Sequence, residues 1–133
     1  MWPEAVERIA AFLRVSGVEG RLEELLPGAG PPTGHQLSVK GFDGNGAAMV
    51  AIFPAGRSVD ERKLAAAAGC NEMRPAPATV FPFAEARVFM DQSILSFDAV
   101  WLEAGSPRHI LGLTPVQLAR VTNAETADLL REG

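Results

Sequence analysis

The strongest constraint on the fold lies in the last third of the chain. Two apolar stretches, residues 99–104 and 109–113, are separated by a Gly-Ser-Pro-Arg turn. Short apolar runs on either side of turn residues predict the two strands of a β-hairpin. A Thr-Pro-Val-Gln capping box follows at once and predicts a helix over 115–122. A hairpin that leads directly into a capped helix is typical of a sheet with helices packed against it.

The preceding two thirds predict more elements of both kinds. An amphipathic helix is expected at 3–16, and Ser58 and Glu61 are predicted to cap a second helix that ends before Gly69. The continuously apolar stretch 47–53 predicts a central strand that is covered on both faces. The other predicted elements are strands at 21–26, 36–42 and 86–90, a hairpin turn at 43–46, a helical turn at 93–95, and irregular segments at 28–34 and 74–82.

Tight hairpins favour antiparallel pairing. We therefore expect one α+β domain over residues 1–133, with a mixed, mostly antiparallel, barrel-like sheet and about three packed helices. The tail at 124–130 either adds a helical turn or packs beside a strand.

Composition excludes several functional classes. The net charge is −4 and the basic residues are scattered, so any contact with nucleic acid is expected to be local and weak. One cysteine excludes an internal disulfide, and two isolated histidines do not predict a metal site. The sequence contains no phosphate-binding loop and no nucleophile elbow, so no cofactor is implied. No apolar run approaches the ~20 residues of a membrane span, and the acidic N-terminus does not resemble a signal peptide, so a cytoplasmic protein is expected.

The order of these motifs resembles the YbaK/EbsC family, the editing domains associated with prolyl-tRNA synthetase. The resemblance covers residues 47–70 and 81–129. The sequence SVDERKLA at 58–65 is similar to the family's Arg-x-Val-Asp…Lys-Leu-Ala helix start. The family hydrolyses wrongly charged aminoacyl-tRNA, so the resemblance implies a trans-editing deacylase that contributes to translation fidelity.

Lys40 is the residue that this resemblance makes a catalytic candidate. It shares a strand face with Ser38 and Phe42, and by itself it reads as a solvated edge lysine. Family members carry a lysine at the start of the first long strand, facing the substrate. The resemblance implies that Lys40 holds the carbonyl or the terminal adenosine and stabilises the oxyanion. Another alignment register places Gln36 at that position.

A second candidate is the segment around Pro82 and Phe83. The family has a Gly-x-x-Pro loop whose backbone N–H groups contact the ester. Pro82 is similar in position to that proline, whereas Thr79 stands where the family has glycine. The resemblance implies that Pro82 and Phe83 bind substrate, and the alternative is a strand entry that buries Phe81 and Phe83.

The hairpin turn is the third candidate and the nearest match to the family. The resemblance implies that Gly105 and Ser106 line the pocket, with Ser106 bonding to the substrate amine or ribose. Glu103 is expected to bind an ammonium group or position water. His109 is included among the substrate-binding residues, with a structural hydrogen bond as the alternative. The turn also has a purely structural interpretation that needs no ligand.

Two functions follow as expectations. The first is an ester hydrolase that acts on tRNA mischarged with a small amino acid, uses a positioned water, and works alone or beside a synthetase. The second is a non-catalytic module of the same fold that binds a nucleotide, an amino acid or a protein partner. A homodimer formed through the Pro-rich segment is a further possibility.

Overall fold

The structure is a computed structural model that describes residues 2–28 and 34–132. Residues 29–33 of the predicted loop at 28–34 lie outside this part. The helices are α1 (Glu4–Ser16), α2 (Glu61–Ala68) and α3 (Pro115–Thr122), with a 3₁₀ helix at Gln92–Ser96. The strands are β1 (Arg21–Glu24), β2 (His35–Gly44), β3 (Ala47–Pro54), β4 (Met73–Ala76), β5 (Arg87–Asp91), β6 (Val100–Ser106), β7 (His109–Leu113) and β8 (Glu125–Ala127).

These strands form one mixed sheet in the order β1-β7-β6-β2-β3-β5-β8, and β4 also pairs with β2. Among the described strands, four pairs are antiparallel, namely β1/β7, β2/β3, β2/β4 and β6/β7. Three are parallel, namely β2/β6, β3/β5 and β5/β8. The predicted α+β class, with a mixed, mostly antiparallel sheet and three helices, is confirmed for the described residues.

The prediction that β3 is central and covered on both faces is confirmed. Val50 and Ile52 lie in the core cluster that includes residues of α1 and α3, such as Leu118. Ala51 and Phe53 point the other way, into the cluster that contains Leu64 of α2. Each face of the strand therefore removes apolar area from water, which is worth about 25 cal/mol per Å² buried.

The two hairpins and the first helix also agree with the predictions. Gly17 ends α1 in the left-handed conformation, and Thr114 and Gln117 form the expected capping box of α3. In the first hairpin the strands run further than predicted, because the turn consists only of Asn45 and Gly46, both at positive φ. Such two-residue turns match the right-handed twist of the flanking strands.

The predicted cap of α2 is wrong. The residue before the helix is Asp60, whose carboxylate accepts hydrogen bonds from the N–H groups of Arg62 (2.9 Å) and Lys63 (3.4 Å). Ser58 lies before the helix, and its carbonyl oxygen accepts a hydrogen bond of 2.8 Å from the N–H of Arg131. Pairing with the C-terminal tail therefore keeps Ser58 outside the helix.

The expectation that 74–82 is wholly irregular is also wrong, because β4 occupies its start. Pro75 faces Phe42 of β2, and Phe42 directs its backbone hydrogen-bonding groups toward β3. The missing N–H of Pro75 therefore removes no bond from the sheet, as required for proline in a strand. The tail forms β8 beside β5, which confirms the second of its two predicted conformations.

One ion pair joins β5 to β8 across the surface. Arg87 donates to Glu125 through Nε (2.6 Å) and Nη2 (3.0 Å), and its Nη1 bonds to the carbonyl oxygen of Ala68 (2.8 Å). The hydrogen bond from Arg87 holds the pKa of Glu125 below its ordinary value. The charged form of Glu125 is thus favoured in the folded protein.

Replacing Glu125 by glutamine is expected to remove the part of the unfolding free energy that the charged carboxylate contributes, and that part depends on pH. A depressed carboxyl pKa adds stability above the unfolded-state pKa, and this is lost as pH falls through the folded-state pKa. The wild type should exceed Glu125→Gln in unfolding free energy by about 1 kcal/mol or less at pH 7, because the pair is half exposed. Urea unfolding at pH 7 and pH 3 measures the difference, with Glu85→Gln as an exposed control. A difference that does not shrink between pH 7 and pH 3 contradicts the prediction.

Candidate functional site

A cleft of about 530 Å³ opens where β2 parts from its neighbours. Three segments form its walls: the first half of β2, the chain between β4 and β5, and the β6–β7 turn. The lining residues are Gln36, Leu37, Ser38, Val39, Ala78, Thr79, Val80, Phe81, Phe83, Glu103, Gly105, Ser106 and Pro107.

The cleft exists because one edge of β2 changes partner. On this edge β2 pairs with β6 through His35 and Gln36, and with β4 from Gly41 onward. No strand of the described residues pairs with this edge between those points. At about 3.3 Å per residue, the gap in the ladder is about 13 Å long.

Hydrogen-bonding parity shows which backbone groups face the gap. The N–H of Ala55 donates to the carbonyl oxygen of Gln36, so even-numbered residues of β2 bond to β3. Odd-numbered residues direct their N–H and C=O groups to the opposite edge, since bonding direction alternates along a strand. Val39 therefore turns both backbone groups toward the cleft.

The chain segment between β4 and β5, which forms one wall of the cleft, packs closely against β2 at Gly41. A Cβ atom at this position would be 2.5 Å from the Ala76 carbonyl oxygen and 2.5 Å from the Ala78 nitrogen. A side chain at Gly41 is incompatible with that approach, so glycine sets how close Ala78 and Thr79 come to the strand.

The opposite wall comes from a bulge in β6. Glu103 pairs with Ile110 and Ser106 pairs with His109, so β6 has two more residues than β7 in this interval. Gly105 adopts φ +83, which favours glycine. Bulges re-aim side chains at the ends of strands. Here the bulge places Glu103 and Ser106 on the wall of the cleft.

Thr79, Ser106 and Glu103 are polar residues of the cleft lining. The Thr79 hydroxyl oxygen is buried and has no hydrogen-bond partner among the described residues. The Ser106 hydroxyl accepts a 3.0 Å bond from the Arg108 N–H, which leaves its own hydrogen free to donate. Glu103 is the one charged side chain among the described lining residues.

Phe83 is conformationally unusual as well as buried. Its φ is +62, a region that aromatic residues rarely adopt, and 4% of its surface is exposed. It lines both this cleft and a second cavity of about 480 Å³ that Pro82 also lines. Residues held in such backbone conformations cluster at ligand-binding sites.

Some of the predicted site residues meet in the cleft. Glu103, Gly105, Ser106 and Phe83 line it. Gln36, which the alternative register put in place of Lys40, lines it as well.

Lys40, Pro82 and His109 are not among the lining residues. Lys40 is exposed, and its Nζ atom lies 5.4 Å from the centre of the Phe42 ring. His109 is buried; its Nε2 atom is 3.3 Å from a Glu24 carboxylate oxygen, and neither ring nitrogen has a hydrogen-bond partner among the described residues. The catalytic role of Lys40 and the substrate contacts of Pro82 and His109 stay predictions.

The sequence reasoning missed the backbone of Val39 and the hydroxyl of Thr79. In the sequence, Thr79 stands out only as a departure from the family's glycine. No sequence signal marks Val39, because its exposure depends on strands from distant parts of the chain.

The described residues contain no group of three or more His, Cys, Asp or Glu side chains placed to hold a metal ion. Within the same residues, no helix has both the length and the apolar composition to cross a bilayer.

Comparisons with known proteins relate the chain to solved structures. No protein-family model matches the sequence, and no curated protein matches it. A candidate trans-editing enzyme for prolyl-tRNA synthetase superposes with a TM-score of 0.83 at 19% identity, covering 99% of this chain and 100% of that one. A scaffold protein used for computational epitope grafting gives the same values.

The fold also occurs within a longer protein. A candidate signal transduction protein from Marinobacter aquaeolei VT8 matches with a TM-score of 0.73 at 16% identity, covering 99% of this chain but 31% of that one. These likenesses show that the chain has the fold of these proteins, as the motif resemblance implied.

Proposed function

We propose that the cleft binds the aminoacyl group of a mischarged tRNA and that the protein hydrolyses the ester that joins the two. The observation that carries this proposal is the meeting of Glu103, Ser106 and the unpaired edge of β2 in one cleft. The shared fold with a candidate trans-editing enzyme supports the same class of reaction.

The lining residues suit an amino acid esterified at its carboxyl end. The Glu103 carboxylate binds the α-ammonium group, and the Ser106 hydroxyl donates to the substrate. The Val39 N–H donates to the acyl carbonyl oxygen, which gains negative charge when water attacks. The water oxygen bonds to the acyl carbon, the ester C–O bond breaks, and the proton passes to the departing ribose oxygen.

Gln36 and Lys40 have different places in this proposal. We assign Gln36 to the cleft wall, where its amide contacts the ribose or the ester. Lys40 lies outside the lining and is assigned no contact with the acyl group; its predicted catalytic role is tested by substitution. A prolyl-tRNA synthetase partner and a homodimer remain predictions from the sequence.

Glu103→Gln is expected to slow deacylation about tenfold, chiefly through KM, because a charge-assisted hydrogen bond to the ammonium is lost. The measurement is release of amino acid from Ala-, Cys- and Ser-charged tRNA at micromolar protein. Gln36→Ala should also reduce release, whereas Lys40→Ala and the exposed control Glu85→Gln should not. If Lys40→Ala alone abolishes release, the lysine assignment is right and ours for Gln36 is wrong. If all the charged tRNAs survive, the hydrolase proposal fails.

A second candidate is a binding module without catalysis. It is favoured by the absence of Lys, Arg, His and Cys among the described lining residues, which leaves Glu103 as their one ionisable group and no cation to stabilise an oxyanion. The occurrence of the fold in a larger candidate signal transduction protein is consistent with such a role. This candidate predicts that amino acids or nucleotides raise the melting temperature without turnover.

A further inference from the structure

The unpaired edge of β2 offers three backbone groups in a defined order. The parallel pairing with β6 uses the backbone groups on this edge of β2 up to and including the N–H of Leu37. The next groups on this edge are the Leu37 C=O, the Val39 N–H and the Val39 C=O. No backbone hydrogen bond joins these three to another of the described residues. At Gly41 the pairing with β4 begins.

We propose that this edge binds the amino-terminal end of an extended peptide as an added parallel strand, in line with β6. Parallel pairing fixes the contacts. The first residue donates from its ammonium to the Leu37 C=O and accepts at its carbonyl from the Val39 N–H. The N–H of the third residue then donates to the Val39 C=O. All three groups are satisfied by this occupant.

The count of hydrogen bonds distinguishes a peptide from a single aminoacyl group. An aminoacyl ester supplies the ammonium and one carbonyl, so it satisfies two groups and leaves the Val39 C=O unpaired. A third peptide unit supplies the missing N–H. Strand addition is a common way to recognise peptides, because main-chain bonds provide affinity at an open sheet edge.

Charge and shape favour a free amino terminus over the middle of a chain. Glu103 is the one charged side chain among the described lining residues, and it complements an ammonium group. The gap in the ladder closes at Gln36 on one side and at Gly41 on the other. A stretch of about 13 Å holds three to four extended residues and does not pass a longer strand. The side chain of Val80, which lines the cleft and is 74% exposed, suits a peptide with small or apolar side chains.

This inference goes beyond the proposed function and does not require hydrolysis. Its test is titration of the ¹⁵N-labelled full chain with Ala-Ala-Ala-amide, followed through the backbone N–H signals. We expect the Val39 N–H to shift downfield and to exchange more slowly with solvent. Leu25, whose N–H already bonds to the Arg108 carbonyl oxygen, is the internal reference.

Two modified peptides test the contacts separately. N-acetyl-Ala-Ala-Ala-amide lacks the ammonium and should bind about tenfold more weakly. A depsipeptide with an ester in place of the third N–H should bind several-fold more weakly. Glu103→Gln should weaken the free-amine peptide and leave the acetylated one unchanged.

Several outcomes overturn the proposal. They are an unshifted Val39 N–H at millimolar peptide, equal affinity for the free and acetylated peptides, or alanine methyl ester binding as tightly as the tripeptide. Deacylation is measured independently. Peptide binding without tRNA deacylation overturns the hydrolase alone, and deacylation with no peptide binding overturns this inference alone.

Discussion

Replacing Asp91 by alanine is expected to lower the unfolding free energy by about 3 to 5 kcal/mol. Asp91 is 1% exposed and accepts hydrogen bonds from the Leu129 N–H (2.8 Å) and the Ser93 N–H (3.0 Å), and also from the Ser93 hydroxyl. Leaving a buried donor unpaired costs about 1–3 kcal/mol, and here two backbone donors lose their acceptor. The total unfolding free energy of a typical domain is only about 5–15 kcal/mol.

In the Asp91→Ala variant, local unfolding should begin at the C-terminal tail. The bond from Leu129 to Asp91 is one of a series that also includes the Asp60 N–H to the Leu129 carbonyl oxygen (2.8 Å). Lys63 adds a bond of 2.8 Å from Nζ to the Leu130 carbonyl oxygen. Without Asp91, the amide hydrogens of 129–131 should exchange with solvent earlier than those of β3.

Urea unfolding and amide exchange check this prediction. Asp91→Asn keeps one side-chain oxygen, so its unfolding free energy should fall less than that of Asp91→Ala. The exposed Asp98→Ala should change stability by about 0.5 kcal/mol or less. A loss below about 1 kcal/mol for Asp91→Ala contradicts the assigned role, as does loss of protection in β3 before the tail.

Most of the fold could be predicted because local patterns dictate it. The Thr114–Gln117 capping box, Gly17 at the end of α1 and the Asn45-Gly46 turn act within a few residues. Each selects a backbone conformation from short-range sterics and hydrogen bonds. The apolar stretch of β3 adds a burial requirement that only a central strand satisfies.

The errors come from pairing between distant segments. Ser58 has the sequence of a cap, but the tail pairs with its backbone and Asp60 caps instead. Pro75 argues against a strand until its partner is known, because only the alternation of β2 makes its missing N–H harmless. Propensity is a weak guide wherever tertiary pairing decides the conformation.

The candidate site also combines residues placed by a local pattern with groups placed by pairing between distant segments. Glu103, Gly105 and Ser106, which the motif resemblance singles out, lie together on the cleft wall because one hairpin carries all three. Lys40 is predicted from the motif resemblance alone, and its Nζ atom lies 5.4 Å from the centre of the Phe42 ring, outside the cleft lining. The N–H and C=O groups that Val39 turns toward the cleft belong to the backbone of an unpaired edge. Side-chain chemistry in a sequence does not mark them.

Replacing Gly41 by alanine is expected to cost about 2 to 3 kcal/mol and to abolish ligand binding in the cleft. The new Cβ would lie 2.5 Å from the Ala76 carbonyl oxygen and 2.6 Å from the Ala78 Cα. These are backbone atoms, so relief requires the chain at 76–79 to move away from β2, and overpacking of this kind typically costs about 1–3 kcal/mol. Since Ala78 and Thr79 line the cleft, its shape changes with them.

Gly44→Ala is the matched control, because it makes the same change in the same strand. Its new Cβ would meet side-chain ends instead, with the Met49 Cε and Sδ at 2.9 Å and the Cys70 Sγ at 3.0 Å. These atoms can rotate away, and neither glycine has a positive φ, so backbone strain does not separate the two variants. Urea unfolding should show a loss below about 1 kcal/mol for Gly44→Ala. Equal losses, or a Gly41→Ala protein that still binds its ligand, would show that the close approach of 76–79 does not shape the site.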